Sequence, residues 1–238
     1  MKKYLLILFM LILGFSAKSQ VLISILLGDK LNSGKVEFGL DGGLNWSTMQ
    51  GLPGANSHTG FNLGFYFDFK FNNPAWMLNT GVIVKSALGA GDLPVYSLNN
   101  ALLDSAFKGG SVTRKLEYFN VPVMIKYMFK NNFYVKGGTQ LGLRYNAFDD
   151  FTNKVIDKDD LNYKLKIKDQ FRPLDAGLVA GLGYRLMGGN GMNIEMRYYY
   201  GLVDVVTAEA SPPQYNRSLY LTVGIPIGKS KKKETNIN

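Results

Sequence analysis

The segment 61–71, FNLGFYFDFKF, limits the fold of this chain more than any other part of the sequence. Apolar side chains occupy every odd position, while Asn, Gly, Tyr, Asp and Lys occupy the even ones. A strict period of two indicates a β-strand with one apolar face. Eleven residues exceed the usual soluble strand and match the ~9 to 11 tilted residues that cross a bilayer. The segment therefore predicts a membrane-spanning strand.

The same alternation recurs along the chain. It predicts eight strands: 35–47, 61–71, 76–88, 116–129, 133–145, 174–186, 192–202 and 217–227. In the third of these, the alternation assigns Leu88 to the same apolar face as Trp76. In the fourth, Pro122 has no N–H for the ladder, so we expect a bulge or a broken hydrogen bond there.

Short and long connections alternate between these strands. The short ones are 72–75, 130–132 and 187–191, and the long ones are 48–60, 89–115, 146–173 and 203–216. Outer-membrane barrels have short periplasmic turns and long extracellular loops. The predicted fold class is therefore all-β: an eight-stranded antiparallel up-and-down transmembrane β-barrel, with short periplasmic turns and long extracellular loops.

A soluble barrel with its apolar face turned inward around a ligand would show the same period. Two features favour the membrane barrel. Glycine crowds the polar faces, which suits the narrow interior of a small barrel. Aromatic side chains also lie at the strand ends on the apolar face, as in the aromatic girdles of membrane barrels: Trp46, Phe69, Phe71, Trp76, Phe129, Phe133 and Tyr145.

The formal net charge of +9 comes largely from the two ends of the chain. Lysines cluster at residues 2, 3 and 18 and again at 229 and 231–233, and the remaining charges are scattered. Phosphate binding requires a basic face, so we expect no nucleic-acid partner. The absence of cysteine excludes disulfides, thiolate metal sites and a lipoprotein anchor.

The domain organisation follows from composition. Residues 1–19 have a basic start, an apolar centre and small residues near the end, which predicts a cleaved signal peptide. Residues 20–34 form a predicted periplasmic segment, and residues 35–227 form the barrel. Residues 228–238 are polar and basic, so we expect a disordered periplasmic tail.

With the apolar face outward, the polar faces line the lumen. Buried charges are costly unless paired, so we predict an ion network in the half nearer the short turns. Its members are Glu37, Asp68, Lys70, Lys126, Lys136, Arg185, Glu195 and Arg197. The network is either structural packing or a gate, and packing is favoured because side chains fill barrels of this size.

Other candidate chemistry is sparse. His58, the single histidine, follows Ser57 in the first long loop, which allows a rim hydrolase or acyltransferase hypothesis. The acidic run Asp157, Asp159 and Asp160 lacks the glycine and distal glutamate of a calcium loop. We therefore expect no catalytic residue, no metal and no cofactor.

Two long loops contain predicted structure of their own. Leu161, Tyr163, Leu165 and Ile167 alternate with polar residues, which predicts a hairpin that partners the sixth strand above the membrane. Segment 97–108 predicts a short helix ended by Gly109 and Gly110. Ordered long loops are where a protein partner or ligand would bind.

Several motifs resemble the PorT-type outer-membrane β-barrel family, which is found widely in Bacteroidota. They are Leu116, Tyr118 and Pro122 leading to Ile125–Lys126–Tyr127; the run 181–184; Arg197–Tyr198 followed by Gly201–Leu202; and 223–226. The similarity covers roughly residues 35–227. It implies an eight-stranded barrel and, through the namesake of the family, a link to protein secretion and gliding by the type IX system.

Three functions remain in order of preference. The first is a non-enzymatic outer-membrane scaffold or secretion accessory that acts through its loops or its periplasmic face. The second is a passive channel for small solutes, which requires a water path through the lumen. The third is a rim enzyme that uses His58. The expected partners are outer-membrane lipid and proteins that bind the loops or the periplasmic face.

Overall fold

The computed structural model describes residues 34–154, 161–189, 191–207 and 212–227. The predicted signal peptide, the segment up to residue 33 and the basic tail 228–238 lie outside these ranges. No helix among the described residues is long and apolar enough to cross a membrane.

A ring of antiparallel strands forms the body of the described part of the chain. The ring contains eight strands: β1 (Val36–Gln50), β2 (His58–Lys70), β3 (Trp76–Lys85), β5 (Ser111–Met128), β6 (Phe133–Asn153), β8 (Leu174–Arg185), β9 (Asn193–Gly201) and β10 (Tyr215–Pro226). Each pairs with the next, and β10 pairs with β1 to close the ring. Within the described ranges, this confirms the predicted eight-stranded up-and-down architecture.

Two shorter strands extend the ring at the end that carries the long loops. β4 (Ala87–Leu93) continues from β3 and pairs with β5, while β7 (Leu161–Lys166) pairs with β6. The expectation that the segment beginning at Leu161 partners the sixth strand, here β8, is wrong. β8 pairs with β6 only up to Leu174, so β6 is free to take a different neighbour above that point.

Helical structure in the described part of the chain is limited to short pieces. The helix α1 (Ala101–Ala106) is shorter than the predicted 97–108, and it begins after Asn100, whose side chain accepts hydrogen bonds from the N–H groups of Leu102 and Leu103. A 3₁₀ turn covers Lys168–Gln170 and a helical turn covers Leu186–Gly189.

The apolar faces of the ring strands point outward and the polar faces point inward. Lipid-facing side chains are widely exposed, for example Leu141 at 57% and Leu174 at 63%, whereas Asn120, Gln140 and Thr222 are buried inside. A soluble barrel would bury the apolar side, so that alternative is wrong.

Two β-bulges lie at one height of the ring and change which side chains face inward. β3 carries an extra residue, Val84, opposite the step between Leu63 and Gly64. β6 carries an extra residue, Tyr145, opposite the step between Glu117 and Tyr118. A single extra residue moves every later side chain to the other face.

The first bulge corrects the prediction for Leu88. Its side chain is fully buried rather than lipid-facing, because the added residue turns it inward. The prediction for Pro122 is confirmed. The β3–β5 ladder is interrupted between the pairs Thr80–Val123 and Ile83–Asn120, and the Thr80 hydroxyl donates to the Pro122 carbonyl at 2.8 Å.

Candidate functional site

The lumen near the short turns holds a chain of buried ionic contacts, which we call the lumen network. Its first part lies around Asp68 on β2. The Lys126 ammonium nitrogen lies 2.7 Å from Asp68 Oδ2, and the Asn79 amide donates to Asp68 Oδ1 at 2.6 Å. Because β3 separates β2 from β5, the Asp68–Lys126 contact bridges two strands that are not neighbours.

The second part of the lumen network lies around Glu195 on β9. Lys136 Nζ lies 2.7 Å from Glu195 Oε2 and donates to Asn79 Oδ1 at 3.0 Å, which joins the two parts. The Tyr134 hydroxyl also donates to Glu195 Oε2, at 3.1 Å. The network therefore runs across the lumen from β2 to β9.

Arg197 and Asp41 extend the network on the β1 side. Arg197 Nη1 lies 3.8 Å from Glu195 Oε1, and its Nη2 lies 4.0 Å from Asp41 Oδ2. The guanidinium also lies 4.9 Å from the centre of the Tyr220 ring. Arg197 thus stands between two carboxylates, with an aromatic ring beside its guanidinium.

The third part lies lower, where β1 and β8 approach the short turns. Arg185 Nη2 lies 2.5 Å from Glu37 Oε2, and the Tyr66 hydroxyl donates to the other oxygen of Glu37 at 3.1 Å. The Asn193 amide donates to the Tyr66 hydroxyl at 3.1 Å. β9 and β10 lie between β8 and β1, so this contact too bridges the lumen.

The structure brings most of the predicted charged residues into these contacts. The exception is Lys70, the last residue of β2, which is half-buried and makes no ion pair with the described residues. Asp41 was not predicted as a member. Asp41 lies four residues after Glu37 and on the same face of the strand, and this spacing in the sequence would have identified it as a member of the network.

The charges of the lumen network balance. Four carboxylates face four basic groups: Glu37, Asp41, Asp68 and Glu195 with Lys126, Lys136, Arg185 and Arg197. A cavity of about 20 Å³ lies among them and is lined by five of the eight, together with Tyr66 and Tyr134. A single water molecule needs ~10–15 Å³ by this measure. The cavity is therefore too small for a hydrated ion.

The end of the barrel with the long loops carries a second core of opposite chemistry. We call residues 87–117, 146–154 and 161–173 the cap. The centre of its core consists of fully buried apolar side chains: Leu88, Ala90, Val112, Leu116, Ala147 and Phe151. Phe107 and Tyr163 lie against the Phe151 ring at centroid distances of 5.9 and 6.3 Å. The described parts of these two long loops are thus folded structure.

The side chains of Tyr96, Arg114 and Asp149 form a hydrogen-bonded cluster in the cap, which we call the polar lock. Arg114 donates two hydrogen bonds to Asp149, at 2.9 and 2.7 Å, and the Tyr96 hydroxyl donates to the same carboxylate at 2.9 Å. Burial alone lowers the pKa of Arg114, but its hydrogen bonds to Asp149 and the Asp149 charge raise it above the usual value. Burial raises the pKa of Tyr96, and the Asp149 charge adds to that, so the phenol stays protonated.

His58 lies at the long-loop end of β2, above the apolar band that begins at Phe61. It is half-buried, and its partner across the strands is Ser47. Burial lowers the pKa of His58, the Lys115 charge lowers it further, and the Asp150 charge raises it. No hydrogen bond joins the imidazole to a serine or a carboxylate in the described ranges.

The acidic run at 157–160 lies outside the described residues. Within them, no group of three or more histidine, aspartate or glutamate side chains is arranged to hold a metal ion.

Comparisons with known proteins point to one family. The family model described as outer membrane protein beta-barrel domain matches residues 24–207. A search of curated proteins found no match.

Similar solved structures include three bacterial outer-membrane or surface proteins. The attachment invasion locus protein Ail of Yersinia pestis is 14% identical, over 81% of this chain and 99% of its own, with a TM-score of 0.41. Neisserial surface protein A is 13% identical over 80% and 96%, with a TM-score of 0.39. OprG from Pseudomonas aeruginosa is 15% identical over 82% and 97%, with a TM-score of 0.38.

Proposed function

The chain belongs to the outer membrane protein β-barrel domain family, and from that premise we propose that it is a closed, non-enzymatic scaffold of the outer membrane. The barrel anchors the protein in lipid, and the cap and the periplasmic turns bind partner proteins. A PorT-like accessory role in secretion is the specific setting that we propose for this activity.

One observation carries the proposal: the lumen network crosses the barrel between strands that are not neighbours. Lys126–Asp68, Lys136–Glu195 and Arg185–Glu37 each bridge the lumen at 2.5–2.7 Å. The cavity beside Lys126, Lys136 and Glu195 has a volume of about 20 Å³. Moving ions through this level would require breaking buried ion pairs, which costs several kcal/mol per pair in proteins, on the order of 3–5. A folded cap above a closed lumen favours binding over conduction.

A passive channel is the second candidate, and a specific feature favours it. Both amide atoms of Gln140 are buried in the lumen without a hydrogen-bond partner among the described residues, and so is the Asn120 amide nitrogen. Buried polar groups of this kind commonly bind water. A hydrated path beside the lumen network would make the barrel a narrow pore.

Single-channel conductance of the mature protein, refolded into planar bilayers, separates the two candidates. We expect no ohmic steps from protein shown to be inserted by its heat-modified mobility on gels. The positive control is the double variant Asp68→Ala, Lys126→Ala. It removes one ion pair from the lumen without changing the net charge, and it should conduct more often than the native chain. Regular steps from the native chain would overturn the closed scaffold.

A further inference from the structure

β7 is an edge strand of the cap. It stands at the end of the strand order, and its single strand neighbour in the described part of the chain is β6. An edge strand presents main-chain N–H and C=O groups that can pair with an added strand.

The register shows which groups face the open edge. The Ile167 N–H donates to the Ala147 carbonyl at 3.1 Å, in the same register as the β6–β7 ladder. Hydrogen-bonded pairs alternate along an antiparallel ladder, so Leu161, Tyr163 and Leu165 also direct their main-chain groups to β6. The N–H and C=O groups of Asn162, Lys164 and Lys166 therefore point away from β6.

The cap core holds this edge in an extended form. Leu161, Tyr163 and Leu165 pack against the apolar core, whereas Asn162 and both edge lysines are exposed. A strand that is already ordered loses little entropy when it pairs, so the edge is prepared for an extended ligand.

The edge is basic. Lys164 lies 4.0 Å from the centre of the Phe148 ring and 3.9 Å from Asp150, whose other oxygen already accepts from Lys115 at 2.8 Å. Lys166 makes no ion pair with the described residues. Like charges directly opposite destabilise a strand pair, so a second copy of β7 is a poor partner and an acidic strand is a good one.

We propose that the free edge of β7 binds an extended acidic segment of a partner protein as an added strand. The main-chain groups of Asn162, Lys164 and Lys166 supply the hydrogen bonds, and the lysine side chains select carboxylates at alternate positions of the partner. The inference deepens the proposed scaffold function by identifying the surface of the cap that binds.

The test uses a fluorescent nine-residue peptide, Thr-Glu-Val-Glu-Val-Glu-Val-Glu-Thr, with the full mature chain in lipid nanodiscs and anisotropy as the readout. We expect Lys164→Pro to weaken binding at least tenfold, because proline removes an outward N–H without touching the β6 ladder. The matched variant Lys164→Thr keeps that N–H and should weaken binding only a few-fold. Methylating alternate peptide amides should abolish binding to the native chain.

Equal binding by Lys164→Pro, or equal binding of a peptide with Lys in place of Glu, would overturn the proposal. Absence of binding by the native chain would overturn it as well. If Lys164→Pro disturbs the cap, seen as faster hydrogen exchange of β6 amides, the methylated peptide alone decides. Conductance is measured separately, so a failed docking site and a failed closed scaffold give different results.

Discussion

The lumen network and the cap core are two solutions to burial in one continuous sheet. In the lumen, charged and polar side chains are buried together, and most of the apolar ones face lipid. In the cap, the buried side chains are mainly apolar, and the charged side chain of Asp149 is buried only with its partners Arg114 and Tyr96. β5 and β6 run through both regions, so the same two strands change their chemistry as their surroundings change from lipid to water.

The contrast shows what each solvent demands of a strand. Lipid leaves nothing to gain from burying apolar side chains inside, so the interior of the barrel carries the polar groups, which must then satisfy one another. Water gives apolar burial its usual driving force, and the cap uses it. We therefore expect the lumen to depend on charge pairing and the cap to depend on packing.

Removing one member of the lumen network should have the largest effect. Glu195→Ala leaves Lys136 and Arg197 buried without their shared carboxylate, which should cost about 3–5 kcal/mol of unfolding free energy. Urea unfolding of the protein in lipid vesicles, followed by tryptophan fluorescence, measures it.

The control is the double variant Lys136→Met, Glu195→Met, which replaces a salt bridge by apolar side chains. It should lie closer to the native stability than Glu195→Ala. If the single variant is as stable as the native chain, charge pairing does not hold the lumen together.

A cavity in the cap should cause the next largest loss of stability, and that loss should be confined to the cap. Leu88→Ala removes a fully buried side chain and should cost about 2–4 kcal/mol. Hydrogen exchange should speed up for the amides of β4 and β7, while β9 and β10 keep their protection. Leu102→Ala, at a side chain 83% exposed, should leave exchange unchanged. Equal loss of protection in the barrel would mean that the two cores form one cooperative unit.

Loss of one hydrogen bond in the polar lock should have a smaller effect. Tyr96→Phe removes one hydrogen-bond donor to Asp149 but leaves both Arg114 hydrogen bonds. The free energy of unfolding of the cap should therefore decrease by about 1 kcal/mol. Exchange rates of the β5 and β6 amides near Arg114 and Asp149 give the value. The lipid-facing substitution Tyr184→Phe is the control, and a cap unaffected by Tyr96→Phe would assign the lock to Arg114 alone.

Mild acid should have the smallest effect, and it should act where the end of β2 meets the cap residues Lys115 and Asp150. Because the pKa of His58 is lowered in the folded protein, the unfolded chain binds more protons as pH falls through its ordinary pKa of about 6.5. Stability of the cap should therefore be constant above that pH and decrease below it, seen as faster exchange at pH 5.5. His58→Gln should remove the dependence near pH 6.5, and an unchanged pH profile in that variant would exclude His58 as its source.

The sequence predicted the barrel well because a period of two is a local signal. Segment 61–71 shows it without interruption, and β2 covers nearly the same residues. The same pattern predicts that Glu37 and Arg185 each pair with another charge, because both lie on an inner face. It does not predict that they pair with each other, because their strands are distant in sequence.

The cap was harder to predict for a physical reason. Predicted strand five ends at 145, whereas β6 continues to Asn153 because it finds β5 and β7 as neighbours above the membrane. Such pairing depends on contacts far apart in sequence. Leu88 shows the same difficulty. The alternation places its side chain on the lipid-facing side of the strand, and only the extra residue before it turns that side chain inward.

Those extra residues, Val84 and Tyr145, shift the two-residue repeat by one position, as an inserted nucleotide shifts a reading frame, so the later side chains of each strand face the opposite side. Both lie close to Glu117 and Tyr118 of β5, so the two strands that flank β5 change frame at a similar level. In these two strands, one extra residue and not a change in the apolar pattern reverses the side chains that face inward. A cap of different sequence, grafted above these two positions, would leave the lipid-facing surface intact.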